Sequence, residues 1–127
     1  MDEKDKIVEL NTGKIEIPKI DLKQYVGKKT VIETVEERKG KYGYYVFLAT
    51  PSVTTIKDLE GNEKPLKGSV IIGLQKDSEG NIGWGDGTKM DCFLKYYKVN
   101  HYKELVGTDV VFQIKTGKDG QEFLTFA

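Results

Sequence analysis

Lys23-Gln24-Tyr25-Val26-Gly27-Lys28-Lys29-Thr30-Val31-Ile32-Glu33 is written again, in altered form, as Lys103-Glu104-Leu105-Val106-Gly107-Thr108-Asp109-Val110-Val111-Phe112-Gln113. In each copy a lead-in with a large apolar residue reaches Val-Gly, crosses two polar positions, and enters an apolar run rich in strand-favouring side chains. A glycine-containing turn and a second apolar run follow each time, so two similar strand–turn–strand units flank a different middle. Aligning the copies sets Thr30, Ile32 and Thr34 against Val110, Phe112 and Ile114. Strand alternation then sends this set inward and Glu33 and Gln113 outward. The Val-Gly pairs are expected to mark places where a long strand bends, because glycine permits a bulge or a tight corner. The competing reading is that each glycine ends a turn just before a strand.

Between the copies, Tyr42 to Thr50 forms the most aromatic run of the chain, after a turn at Lys39-Gly40-Lys41, and Pro51 ends it. Val53 to Ile56 and Ser69 to Leu74 read as further strands, separated by the acidic turn Asp58 to Pro65. Asp77 to Asn81 is another turn. Thr88 is an N-cap with Asp91 three residues on, opening a helix over about 89–98. Met90, Phe93, Leu94 and Tyr97 make its single apolar stripe. At the front, residues 1–6 read as a flexible charged tail, and Ile7 to Ile17 as a small hairpin around Asn11-Thr12-Gly13.

A chain of 127 residues is expected to be one domain, residues 1–127, with its own core. The fold class is mainly β: a five-stranded OB-fold-like antiparallel barrel with one α-helix and an inserted β-hairpin region. Residues 20–127 resemble an OB-fold domain. The resemblance rests on Tyr25-Val26-Gly27 before the first strand, the aromatic 42–49 strand, the single helix and the closing pair of strands. It is similar at this level to small archaeal and phage single-stranded-DNA-binding proteins. Segment 53–87 departs from a minimal OB-fold.

The 20 basic and 20 acidic residues cancel, which argues against an overall cationic field. The charge is uneven, however: segments 23–45 and 89–103 each carry a basic excess. No apolar run reaches the length of a membrane span. Met1 to Lys6 lacks the apolar centre of a secretory signal, and Cys92 is the lone cysteine. A cytoplasmic protein is expected.

The OB resemblance implies binding across the second and third strands and the loops beside them. Single-stranded nucleic acid needs flat aromatic faces for bases and cations for phosphates. The candidate binding residues are Arg38, Lys39, Lys41, Tyr42, Tyr44, Trp84 and Lys89. Of the two alternating sets on the aromatic strand, Tyr45 and Phe47 are expected inside, since Phe47 has no polar tip and Ala49 shares its side. Trp84 is either a stacking residue on a mobile lip or an anchor pinning its glycine-rich loop to the barrel.

No catalytic or metal-binding pattern stands out. His101 has no partner at ligand spacing. Cys92 beside the apolar stripe reads as a small buried hydrophobe. The run Gly80, Gly83, Gly85, Gly87 lacks the Gly-Lys-Ser/Thr ending of a phosphate loop. The expectation is a noncatalytic nucleic-acid-binding protein, without cofactor or metal, that prefers single-stranded DNA or RNA and reads little sequence. The alternative is a protein-interaction or assembly module on the same scaffold, with another protein or a second copy as partner.

Overall fold

The computed structural model describes residues 10–14, 21–58 and 60–127. The strands are β1 (Lys29–Val31), β2 (Thr34–Gly40), β3 (Gly43–Ala49), β4 (Thr54–Lys57), β5 (Glu63–Leu66), β6 (Ser69–Gly73), β7 (Gln75–Lys76), β8 (Ile82–Gly83), β9 (Asp109–Thr116) and β10 (Glu122–Phe126). Helix α1 spans Lys89–Tyr97. Among the described residues the strands form four antiparallel sheets, ordered β1-β9-β10, β2-β3-β6, β4-β5 and β7-β8. The mainly-β class and the single helix are as expected. Among the described residues no ladder joins β6 to β10, so the sheets are not closed into a five-stranded barrel. The expected tail at 1–6 and most of the hairpin at 7–17 lie outside the described residues, and 10–14 have no regular structure.

The repeated phrase folds the same way twice. A 3-10 turn, Leu22–Tyr25 or Tyr102–Leu105, is capped by a side chain accepting a backbone N–H: Asp21 from Lys23, and His101 Nδ1 from Lys103. Val26 and Val106 follow with near-identical dihedrals (φ −59°, ψ 131° and φ −58°, ψ 128°). Gly27 and Gly107 then adopt φ +83° and +85°. That is the third position of a type II turn, which calls for glycine. The glycines are therefore turn residues in front of strands, and the expected mid-strand bend at these positions is wrong.

The two copies pair with each other. Lys29 faces Val111, Thr30 faces Val110 and Val31 faces Asp109. Gly27 donates to Phe112 O (3.0 Å), and Gly107 donates to Ile32 O (2.7 Å). Phe112 donates to Lys28 O and Ile32 to Thr108 O, both at 3.0 Å. Each bond in one copy has its counterpart in the other, so the copies are related by a local two-fold axis near Thr30 and Val110.

The chain changes sheets just past this pairing. Ile32 bonds back to Thr108, whereas Glu33 donates to Ala49 O (2.8 Å) and leads into β2. The core forms between the two three-stranded sheets and α1. It holds Ile32, Val46, Leu48, Ile72, Met90, Leu94, Tyr102, Leu105, Val110 and Phe126. Ile32, Val110 and Phe112 are buried and Glu33 and Gln113 exposed, as the alignment of the copies predicts, whereas Ile114, Thr30 and Thr34 of the same set are only half-buried. On the far side of the core, Thr125 Oγ1 donates to Ser69 O (2.8 Å), tying β10 to β6 by a side chain. At this junction a Cβ on Gly68 would stand 3.0 Å from the Phe112 ring and 3.2 Å from Thr125 O. Only glycine lets the backbone come so near.

Helix α1 matches its sequence signals. Thr88 Oγ1 accepts from Asp91 N, and the Asp91 carboxylate accepts from Gly87 N (2.8 Å) and from Lys95 Nζ (2.9 Å). Met90 and Leu94 are buried, with Phe93 and Tyr97 packed half-buried beside them. Lys98 ends the helix in the left-handed region at φ 58°, one residue past the last helical turn.

Candidate functional site

The β2–β3 hairpin carries most of the candidate residues, and its register divides them between two faces. Directly opposed residues share a face. Val35, Glu37 and Lys39 lie opposite Leu48, Val46 and Tyr44. This face is the core side, because Val46 and Leu48 are wholly buried. Thr34, Glu36 and Arg38 lie opposite Ala49, Phe47 and Tyr45, on the outward side. Ile71 of β6 faces Phe47 there and is 56% exposed.

Tyr45 and Phe47, expected inside, are therefore on the outward face. The interior takes Val46, Leu48 and Ile72 instead, whose aliphatic side chains fill the space beneath α1. Ala49 was no guide to parity, since it is buried while belonging to the outward set. Tyr44 shares parity with Val46 but lies past the edge of the core, where the hairpin projects, and remains 39% exposed.

At the hairpin tip the aromatic and basic residues stand together. Tyr42 is 96% exposed. Lys41 Nζ lies 5.7 Å from the centre of the Tyr42 ring, and Lys39 Nζ lies 5.5 Å from that of Tyr44. Neither lysine makes an ion pair among the described residues. The tip thus offers two cations and two open phenol rings, with no carboxylate of the described residues in ion-pair contact with either cation.

Arg38 stands on the outward side of the same hairpin. Its guanidinium carbon lies 4.0 Å from the centre of the Phe47 ring. Nη2 and Nε donate to Glu36 Oε2 at 2.6 and 3.0 Å. The Glu36 carboxylate, by this hydrogen bond first, raises the Arg38 pKa above its ordinary value. Glu36 and Phe47 escaped the sequence reading as site residues. The signal was present: Glu36 and Arg38 are two apart in a strand and share a face.

The remaining candidates divide. Lys89, at the first position of α1, reaches across and donates to Ile71 O (3.2 Å), so it borders the outward face. Trp84 stacks edge-on against His101 (5.3 Å) and Tyr102 (5.7 Å) and packs on the core. These contacts pin its loop to the core while the ring stays half-buried. Cys92, expected buried, is exposed. It falls on the side of α1 turned from the core.

The two basic segments touch where Lys103 Nζ meets Glu37 Oε1 (3.6 Å). Two of the second segment's lysines are in ion pairs, Lys95 with Asp91 and Lys103 with Glu37, while Lys89 keeps its charge and is held by a carbonyl. Burial, and then the Glu37 carboxylate, pushes the Tyr102 hydroxyl pKa up beside this contact. Among the described residues no group of three His, Cys, Asp or Glu side chains converges to hold a metal ion. None of their helices is long and apolar enough to cross a membrane.

The arrangement suits noncovalent binding: open aromatic faces, cations without an ion pair among the described residues, and a stacked Arg–Phe pair on one projecting hairpin. No family model and no curated protein matches the chain.

Proposed function

We propose that the chain is a noncatalytic nucleic-acid-binding domain of OB-like architecture, preferring single-stranded DNA or RNA and reading little sequence. The observation that carries this reading is the hairpin tip. Lys39 and Lys41 lie beside exposed tyrosine rings, with no acidic partner among the described residues. Unpaired bases stack on such rings, and the neighbouring cations neutralise phosphates. Duplex DNA would expose few base faces to them.

The strand neighbours support the OB-like part of the reading. In the order β10, β9, β1 running on into β2, then β3 and β6, each element pairs with the next or continues it. The Thr125–Ser69 bond brings the last beside the first. With α1 between β6 and β9, this order is the one an OB barrel would have and supports the reading, with the Thr125–Ser69 bond at the final seam. In that frame β4-β5 and β7-β8 are insertions.

The test is fluorescence anisotropy with labelled DNA and RNA oligonucleotides at low salt. Salt-sensitive binding is expected, weakened by Lys41→Ala and by Tyr44→Ala. A lack of binding to oligonucleotides of every length overturns the reading.

A further inference from the structure

We infer that Glu36 determines what Arg38 binds: it cancels the charge of the guanidinium and leaves its flat face to stack on an unpaired base. This inference rests on the nucleic-acid reading of the hairpin and assigns the residue that divides base contacts from phosphate contacts within it.

Three observations converge. First, Arg38 is the chain's only arginine. An arginine differs from a lysine chiefly in its plane and its fork of donors. Second, the plane is already set. One side of the guanidinium lies on the Phe47 ring at 4.0 Å, and the side chain keeps 43% of its surface open to solvent. Third, the donors on one edge are taken, because Nε and Nη2 both reach Glu36 Oε2. That edge is one of the two that a phosphate grips in bidentate contacts, the other being Nη1 with Nη2.

The pair therefore presents a planar surface with little net charge, backed by an aromatic ring. A base has the complementary form. A phosphate approaching by the Nε–Nη2 edge would have to displace Glu36, and by either edge it would meet that carboxylate's negative charge. Ile71 is exposed on the same face opposite Phe47 and extends the apolar floor. Lys39 and Lys41, by contrast, are not paired to any carboxylate among the described residues. The hairpin is thus divided: cations without ion pairs among the described residues stand beside the tyrosine rings at its tip, and a charge-cancelled stacking surface lies on its outward side. As a surface ion pair, Glu36–Arg38 adds little to stability. Its geometry is better accounted for by what it holds in place than by what it adds to the fold.

The division is read in the salt dependence of binding. Each phosphate neutralised on a single strand contributes about 0.7 to the slope of log affinity against log salt. The probe is a labelled oligonucleotide of about 12 nucleotides, within the usual site sizes, together with an abasic strand of the same length. Arg38→Lys and the double variant Glu36→Ala, Arg38→Ala, which remove the plane without changing the net charge, are both expected to weaken binding to the base-bearing strand about tenfold, with the slope unchanged and the abasic strand unaffected. Lys41→Ala is expected to lower the slope on both strands. Glu36→Gln is expected to free Arg38 for phosphate, steepening the slope by about 0.7 and tightening the abasic strand several-fold at low salt.

An unchanged slope in Glu36→Gln overturns the inference and leaves the nucleic-acid reading standing. So does a slope in Arg38→Lys or in the Glu36→Ala, Arg38→Ala double variant that falls as it does in Lys41→Ala. Binding of neither strand by the wild-type chain overturns both. All the substituted side chains are at the surface, and thermal melts of each variant should coincide with wild type.

Discussion

Gly27 and Gly107 hold the same dihedrals in the same turn, and in both cases an added Cβ would meet nothing within 4 Å. Only the backbone conformation resists substitution there. Gly27→Ala and Gly107→Ala should each cost about 1–2 kcal/mol, the usual penalty of a left-handed L-residue, measured by urea denaturation. Near-equal losses are expected because the two turns make equivalent hydrogen bonds. Gly68→Ala is a different case, since its Cβ would press on the Phe112 ring and on a backbone oxygen. At the hairpin tip, Tyr42→Ala should leave stability unchanged, given its 96% exposure. It should weaken oligonucleotide binding by about 1–3 kcal/mol if one base stacks on it. The Val-Gly repeat was visible in the chain, but its meaning was not, because the sign of φ decides between a bend and a turn. The facing of the aromatic strand was misjudged for a related reason. Tyr44, Tyr45, Val46, Phe47 and Leu48 are all compatible with burial, so alternation fixes two sets without saying which is inside.

At the scale of elements, α1 was legible almost to its ends, since a cap, a reciprocal acid and an apolar stripe agree. Thr88→Ala should destabilise the protein by about 1 kcal/mol through the lost cap. Two hairpin loops went unremarked as a pair, although Asp58 to Asn62 and Asp77 to Asn81 share Asp-x-Glu-Gly-Asn. In both, the aspartate accepts N–H bonds from the residues two and four further on, near 2.9 Å. Those bonds hold the Asp58 and Asp77 carboxyls below their ordinary pKa of 3.8. Gly87 N–H and then Lys95 do the same for Asp91. A carboxyl depressed in the folded state stabilises fully above its unfolded value, and that contribution is lost as pH falls through the folded one. The melting temperature should therefore fall as pH is lowered from about 5 to below 3.8, ordinary for a carboxylate. Asp58→Asn, Asp77→Asn and Asp91→Asn should each flatten that decline, in a series of melts across the range.

At the scale of the whole molecule, the local two-fold pairing of β1 with β9 is the frame on which the rest is hung. Leu105 is wholly buried in the core, while Tyr25 at the matching position is half-buried against the Phe112 ring (6.4 Å). The symmetry is thus one of backbone more than of packing. Leu105→Ala should cost about 2–5 kcal/mol and Tyr25→Ala clearly less, by denaturant midpoint. The paired phrases led the sequence reading to a β architecture with one helix between them. They did not reveal the split into four sheets, which depends on where the chain crosses at Ile32 and Glu33, a break that no propensity marks. This frame leaves the β2–β3 hairpin projecting past the core with Tyr42, Lys39 and Lys41 at its tip, and the binding reading depends on that placement. The most direct measurement is the anisotropy of a labelled single-stranded oligonucleotide titrated with the wild-type chain and with a Lys39→Ala, Lys41→Ala, Tyr42→Ala triple variant at low salt. Saturable, salt-sensitive binding by the wild type that the triple variant loses, with its melting curve unchanged, is the predicted result. Equal binding by the two proteins, or none by the wild type, would contradict it.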